Sequence, residues 1–372
     1  MQIKKVCIAF LGNSLHDSRI VNLTNSLKEE KCTVSVISFD WFISDNEYFD
    51  DTYKIFKLHK GHYSLFFYLR FAYLLIKELF KNKSDIYFAE DLYTLPFVAT
   101  IAKIRKAKLY YNSRELYAFL GGLRNRPFLQ KMVKSIEQFY IKKVDLVLTT
   151  GEMDSEFLKK FYKITNTIEI RNIPLLQMPA QTVNYREMFD IPRNSLIMIY
   201  QGVLLVGRGI PIILQAMKEL PELYLIIIGD GEQKNNFAQM TTELGISYRV
   251  FFIGTINQKE LINFTAGGDI GLSLIENISI SYYHALPNKL FEYIMAGIPV
   301  LASALPQMKK IIDDYNVGET IQLEKSEELI NSLSKWIDQP LLLKEYKKNC
   351  LVAAQELNWQ SEFKRVRNIL LY

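Results

Sequence analysis

Short apolar runs alternate with longer amphipathic stretches along almost the whole chain, and this alternation constrains the fold more than any other feature. In the first half the runs are Val6–Phe10, Val34–Phe39, Ile55–Leu58, Ile86–Ala89, Lys108–Tyr111, Leu146–Thr149 and Ile168–Arg171. Their length and their β-branched and aromatic content predict strands. Between them, Ser18–Glu30, Leu92–Ile104 and Lys131–Val144 repeat apolar residues at helical spacing. Such alternation is the pattern of βαβ units around a parallel sheet.

From Asn172 to Pro192 the pattern lapses, and Pro174, Pro179 and Pro192 predict a linker. It then restarts, with strands predicted at Leu196–Gln201, Leu223–Ile228, Val250–Ile253, Ile270–Leu274, Val300–Ser303 and Thr320–Leu323. The expectation is an α/β chain of two Rossmann-like, doubly wound parallel-sheet domains facing across a cleft. Ligands of such folds sit at the carboxyl ends of strands. The expected domains are residues 1–178 and 179–356, followed by a terminal helix over 357–372. In that helix Trp359, Phe363, Val366, Ile369 and Leu370 recur at helical spacing.

Composition narrows the classes of function. Hydrophobic residues make up 49% of the 372 and charged residues 23%, which excludes a disordered chain. The net charge of +5 is unevenly spread: residues 1–178 carry 27 Lys and Arg against 19 Asp and Glu, the remainder 18 against 21. A basic first half suits an anionic partner such as a phosphorylated acceptor or a membrane surface, and equally suits ordinary surface lysines. Cys7, Cys32 and Cys350 have neither metal-ligand nor redox spacing, and so scattered a set points to a reducing, cytoplasmic setting and against a disulfide framework. The apolar run Val6–Leu11 after Lys4-Lys5 is too short for a signal peptide. Tyr63–Phe80 comes nearest to a membrane span, but Arg70, Lys77 and Glu78 interrupt it. Its Phe, Tyr and Leu content with flanking Lys suits a helix on a membrane surface or one facing a core. No nucleic-acid partner is expected.

Three loops at strand ends carry the residues for chemistry. In Leu286–Val300, Pro287-Asn288 precedes a helical run that Gly297 and Pro299 end, with Asn288 read as the N-cap and Glu292 on the first turn. A helix N-terminus with Lys289 beside it suits a phosphate, and Glu292 suits sugar hydroxyls; both could also be simple helix-end charges. Gly202 through Gly207-Arg208-Gly209 is a glycine loop between a strand and a helix, where Arg208 can neutralise a diphosphate. Gly229-Asp230-Gly231-Glu232 follows an apolar strand without matching the dinucleotide fingerprint, which argues against a nicotinamide enzyme. In the first half Gly12-Asn13-Ser14, Glu90-Asp91 and Asn112-Ser113-Arg114-Glu115 end strands, while Asp17-Ser18-Arg19 starts a helix. They are candidate ligand groups by position and equally candidates for capping or ion pairing.

The run Leu286-Pro-Asn-Lys-Leu-Phe-Glu-Tyr-Ile-Met-Ala-Gly-Ile-Pro-Val300 resembles the donor-site signature of glycosyltransferase family 4. Asp17-Ser18-Arg19, Tyr111–Leu116, Asn172-Ile173-Pro174, Gly229-Asp230-Gly231 and the Trp359 helix fall in that family's order. The resemblance implies the GT-B architecture, with an acceptor-binding first domain, a nucleotide-sugar-binding second domain, and a terminal helix packing back on the first. It implies retaining, metal-independent transfer from a nucleoside diphosphate sugar, a co-substrate rather than a cofactor, to a glycan or lipid-linked acceptor in cell-surface polysaccharide synthesis. Peripheral contact with the inner membrane face would follow.

Residue by residue, the resemblance gives Glu292 the ribose hydroxyls and Arg208 the diphosphate, and places Ala285, Leu286, Pro287 and Asn288 beside the donor. Arg208, Lys289 and Glu292 form the expected catalytic set. Gly202, Gly207, Gly229, Asp230, Ile253, His284 and Leu290 complete the donor side; Gly12, Asn13, Asp91, Arg114 and Glu115 make the acceptor side. Three positions depart from the pattern: His284 replaces a glutamate, Val203 a basic residue, and Arg114 a histidine. Lys289 is therefore expected to supply the missing positive charge. A nucleotide-sugar epimerase of the same architecture and a non-catalytic nucleotide-binding paralogue are the competing readings.

Overall fold

The protein is described by a computed structural model over residues 3–41, 51–59, 64–323 and 326–372. It divides into two units, Met1–Arg171 with Phe363–Tyr372, and Asn172–Glu362.

In the first unit the strands are β1 (Lys5–Phe10), β2 (Thr33–Asp40), β3 (Tyr53–Lys57), β4 (Ile86–Ala89), β5 (Lys108–Ser113), β6 (Leu146–Thr149) and β7 (Thr167–Glu169). They form one parallel sheet in the order β3-β2-β1-β4-β5-β6-β7. Its helices are α1 (Ser18–Glu29), α2 (Ser64–Lys81), α3 (Leu95–Arg105), α4 (Pro127–Ile141) and α5 (Glu152–Tyr162). The middles of the central strands are apolar because helices cover both sheet faces; β4 and β6 are buried at every residue. Phe67, Phe71, Leu75 and Leu79 of α2 join the core beneath β2 and β4.

The second unit contains α6 (Tyr185–Met188), β8 (Leu196–Gln201), α7 (Ile210–Glu219), β9 (Leu223–Ile228), α8 (Lys234–Glu243), β10 (Val250–Gly254) and α9 (Leu261–Thr265). There follow β11 (Ile270–Ser273), α10 (Ile280–Tyr283), α11 (Asn288–Met295), β12 (Val300–Ser303), α12 (Pro306–Tyr315) and β13 (Gly318–Ile321). Three helices end the chain: α13 (Ser326–Asp338), α14 (Pro340–Ala353) and α15 (Trp359–Leu371). The parallel sheet runs β10-β9-β8-β11-β12-β13. Its order reverses between β8 and β11, so the carboxyl ends of these two strands open the crevice where ligands of doubly wound sheets bind.

Several boundaries differ from expectation for identifiable reasons. The expected linker is packed: Asn263 accepts the Ala180 N–H at 2.9 Å through its side chain and the Val183 N–H at 3.0 Å through its carbonyl. The last strand begins at Gly318, two residues early, because only a glycine fits there; a Cβ would lie 1.9 Å from the Val300 carbonyl oxygen. Helix α3 starts at Leu95 because Asp91 turns the chain first, accepting the Thr94 N–H at 2.7 Å. In the terminal helix Phe363–Leu371 belongs to the first unit, where the Tyr110 hydroxyl donates to the Leu370 carbonyl at 3.0 Å. Among the described residues no helix is long and apolar enough to cross a membrane. Tyr63, the start of the nearest candidate, lies outside them.

The first unit buries several acids, among them Glu137 at 1% exposure. Glu137 of α4 accepts hydrogen bonds from the Tyr111 hydroxyl at 2.8 Å and the Tyr162 hydroxyl at 2.7 Å. Burial outweighs both donors and pushes its carboxyl up to about 7 from 4.5. The native state therefore holds a proton that the unfolded chain releases. Stability from this group is complete below the unfolded value and is lost as pH rises through about 7. We predict that wild type loses roughly 3 kcal/mol relative to Glu137→Gln between about pH 5 and pH 8. Urea unfolding of both proteins across that range measures it, and parallel pH profiles would contradict it.

Candidate functional site

The crevice between β8 and β11 is organised by α11. Tyr293 of this helix points back at the sheet, where its hydroxyl accepts the Gln201 N–H at 3.0 Å and donates to the Leu272 carbonyl at 3.2 Å. One side chain thus joins the ends of both strands that flank the reversal. It fits because β11 has a glycine beneath it: a Cβ on Gly271 would lie 2.3 Å from the Tyr293 ring. Leu290, Phe291 and Ile294 are fully buried and press the helix onto the core.

That docking sets the chemistry on the opposite face. Glu292 is half-buried. It accepts hydrogen bonds from the side-chain amides of Gln201 and, at 3.1 Å, of Gln258. Gln201 is in turn fixed by the Thr265 hydroxyl, which donates to it at 2.7 Å. Burial raises the Glu292 carboxyl above the usual range, opposed by the two amides and by Lys289. Pro287, not Asn288, occupies the N-cap position and makes no side-chain cap. Asn288 is the first helical residue, and Glu292 stands on the second turn rather than the first. Proline can take the cap because its extended backbone already turns the chain into the helix.

Lys289 is buried, with its ammonium nitrogen 4.0 Å from the centre of the Tyr200 ring. Burial and then the nearby Arg208 hold its amine down at about 7, against 10.5 for an unperturbed lysine, with Glu292 opposing. Arg208 lies over the Tyr282 ring, 5.1 Å from its centre. Two cations, a carboxylate and two aromatic rings therefore converge at the start of α11. This constellation suits an anionic group at the cations and hydroxyl groups at the carboxylate.

The glycines of the neighbouring loops are explained by close backbone packing. Leu204 N–H donates to the Asp230 carbonyl at 2.9 Å, and Gly202 N–H to Ile228 at 2.9 Å. A Cβ on Gly229 would lie 2.0 Å from the Gly202 carbonyl oxygen, so the two loops interlock. Gly207 has a left-handed backbone, φ +83°, packed under Ile278 and Tyr282. The Glu276 carboxylate accepts the Gly209 N–H at 3.3 Å and its own N–H donates to the Gly207 carbonyl at 3.1 Å, which fixes the loop carrying Arg208. Asp230 is exposed and pairs with Lys234 at 2.9 Å. Ile253 sits in a register shift between Phe252 and Gly254. His284 ends α10, and its carbonyl accepts from the Gln307 amide; Ala285 and Leu286 lead from it to Pro287.

Sequence reasoning missed Gln201, Gln258 and Glu276. The signal for Gln201 was a polar residue closing an apolar strand; Gln258 and Glu276 reach the site only through the fold.

In the first unit, the corresponding strand ends hold a compact ion network. Arg114 donates to both Asp17 oxygens and to Glu90 at 3.0 Å, with its guanidinium 4.8 Å from the centre of the Phe10 ring. Glu90 also accepts from Asn112 at 2.8 Å, and Asn112 accepts from the buried Arg19 at 2.8 Å. Burial disfavours the Asp17 charge, but Arg114 prevails and keeps its carboxyl below the usual range. Gly12 leaves room for Phe10, whose ring would lie 2.4 Å from a Cβ there. Asn13 caps a short helical turn by accepting the Leu15 N–H at 3.1 Å. Asp91 accepts the N–H groups of Leu11 and Thr94, both at 2.7 Å, and burial lifts its carboxyl to about 6. Glu115 is exposed, and its carbonyl accepts the Ser113 hydroxyl at 3.1 Å. Among the described residues no group of three His, Cys, Asp or Glu side chains is placed to hold a metal ion.

Two doubly wound parallel-sheet units, with a cation and carboxylate cluster at the topological switch of the second, define the GT-B class of fold. Residues 182–351, which include every residue of the cluster around α11, match the family model for glycosyl transferases group 1. The chain is 29% identical over 118 residues to the lipopolysaccharide core biosynthesis glycosyltransferase LpsE of Rhizobium meliloti, covering 32% of each protein. It spans less than two thirds of the length of LpsE and of two further curated glycosyltransferases. Among solved structures it superimposes on sucrose-phosphate synthase of Thermosynechococcus elongatus with a TM-score of 0.79, at 16% identity over 98% of both chains. Anabaena Alr3699/HepE in complex with UDP-glucose gives 0.74 at 15% identity over 99% of both. At these identities the likeness is one of fold.

Tyr293→Phe removes the acceptor of the buried Gln201 N–H. We predict a loss of about 1–3 kcal/mol in urea unfolding, together with weaker nucleotide binding because Gln201 also holds Glu292. An unchanged unfolding midpoint would contradict this role.

Proposed function

We propose that this protein is a retaining glycosyltransferase that moves a sugar from a nucleoside diphosphate sugar to a glycan or lipid-linked acceptor in cell-surface polysaccharide synthesis. The observation that carries the reading is the convergence of Glu292, Lys289 and Arg208 at the start of α11. The group 1 match over the same residues and the UDP-glucose complex of a structural neighbour support it.

In this reading the Glu292 carboxylate accepts the two ribose hydroxyls, held in place by Gln201 and Gln258. Arg208 and Lys289 flank the diphosphate, and the helix N-terminus adds its positive end. As the glycosidic bond to the diphosphate breaks, negative charge grows on the leaving oxygen where those cations already stand. The sugar passes through an oxocarbenium-like state. No enzymatic nucleophile is needed if the acceptor attacks the face the diphosphate leaves, with the departing phosphate taking its proton. Side chains supply the charge neutralisation, so the transfer is metal-independent. Gly12, Asn13, Asp91, Arg114 and Glu115 remain the acceptor-side candidates.

A diphosphate beside Lys289 restores the proton that burial and Arg208 weaken. Nucleoside diphosphate binding should therefore take up about half a proton near pH 7 and weaken as pH rises above it. Titration calorimetry in buffers of different ionisation enthalpy reads this directly. Lys289→Met should abolish the uptake and weaken binding roughly tenfold or more. Uptake that persists in the variant, or unchanged affinity, rejects the assignment of Lys289.

Incubation with nucleotide sugars separates a transferase from an epimerase, which converts the donor alone. Proton NMR of the transfer product should show the anomeric configuration of the donor; an inverted product rejects the retaining assignment.

A further inference from the structure

We propose that Lys289 is a modification site, acylated by small acyl phosphates that seat in the anion position beside Arg208. The acyl phosphate would use the seat assigned above to the diphosphate, so the proposal rests on that reading. Lys289 is 7% exposed, yet among the described residues no hydrogen bond or ion pair holds its amine. Its contact is the Tyr200 ring, whose centre lies 4.0 Å from Nζ. Buried cations ordinarily have a charged or hydrogen-bonding partner. Lysines at the surface have one here: Lys54, Lys159, Lys234, Lys309 and Lys335 each meet a carboxylate, at 2.6 to 2.9 Å. The Lys289 amine also stays open to the crevice, unlike the partnerless Nε atoms of Arg114 and Arg249, which are closed to solvent.

The surroundings favour a nucleophile. Burial and Arg208 disfavour the ammonium form against the opposing Glu292, so the amine titrates at about 7. A desolvated lysine beside a second cation is an activated nucleophile. Arg208, lying over the Tyr282 ring, supplies the anion seat, and the N–H groups at the start of α11 add to it. In an acyl phosphate a single oxygen separates the carbonyl carbon from phosphorus. A phosphate held at Arg208 and the helix start therefore brings the carbonyl to the amine. The unprotonated Nζ attacks that carbon, and the bond from the carbon to the bridging oxygen breaks. Inorganic phosphate leaves and takes the proton lost from nitrogen. The product is a neutral amide: one of the two cations is gone and the acyl group occupies the crevice, so nucleoside diphosphate binding falls. In an acyl thioester of a nucleotide carrier the diphosphate is many bonds from the carbonyl, and this delivery does not operate. The modification would couple transfer to the supply of acyl phosphates.

Treatment of the full chain with acetyl phosphate tests this, with acetylation of each lysine followed by peptide mass spectrometry. At about pH 7.5 Lys289 should react at least about tenfold faster than the exposed lysines. Inorganic phosphate should slow Lys289 selectively, and acetyl-coenzyme A should label it no faster than the exposed lysines. Acetylated wild type should bind nucleoside diphosphate about tenfold more weakly, whereas Lys289→Arg should keep its affinity through the same treatment. The wild-type labelling rates need no variant and carry the test if Lys289→Arg is unstable. Labelling of Lys289 no faster than that of exposed lysines, indifference to phosphate, or equal labelling by acetyl-coenzyme A would overturn the proposal. Nucleotide binding with an inert Lys289 removes this proposal alone. Rapid, phosphate-protected labelling in a protein that binds no nucleoside diphosphate leaves it standing and removes the donor reading.

Discussion

The Tyr293 hydroxyl is the constraint on which the second unit's site depends. It accepts from one strand end and donates to the other across the point where the sheet order reverses. Without that bridge α11 would have no fixed height above the crevice, and the residues on its outer face would have no fixed position. Gly271 makes the bridge feasible by leaving the ring its space. The bridge and the Glu292 network share Gln201, whose backbone meets Tyr293 and whose amide meets the carboxylate. Packing and site geometry are thus one arrangement.

The two units treat charge in opposite ways. In the first, Arg114 pairs with Asp17 and Glu90, and Arg19, held by Asn112 and acting on Asp17, is the second cation that balances the two carboxylates. In the second, Lys289 and Arg208 stand close enough to depress the lysine, each seated against an aromatic ring, while Glu292 opposes them with its charge already disfavoured by burial. Placing like charges together costs stability, and strongly perturbed groups of this kind concentrate at functional sites. The second unit is built to receive an anion; the first already holds its charges in balance.

Much of this was legible in the sequence because the signals were local. Six strands of the second sheet followed from apolar runs, and the helix after Pro287 from its start and stop residues. The departures arose where a distant contact decided the outcome. Gly318 reads as a turn until the Val300 carbonyl is placed against it, and Asn288 reads as a cap until the backbone of Pro287 takes that position. Glu292 and Arg208 could be singled out from their motifs. Gln258 and Glu276 could not, because their roles depend on loops from other parts of the sheet meeting at one crevice.

The central claim is that the start of α11 is a nucleoside diphosphate site. The most direct measurement is a crystal structure with the tightest-binding nucleoside diphosphate from a thermal-shift screen. The account predicts ribose hydroxyls on the Glu292 carboxylate and the diphosphate between Arg208 and Lys289. A nucleotide bound elsewhere, or with its ribose turned away from Glu292, would contradict it.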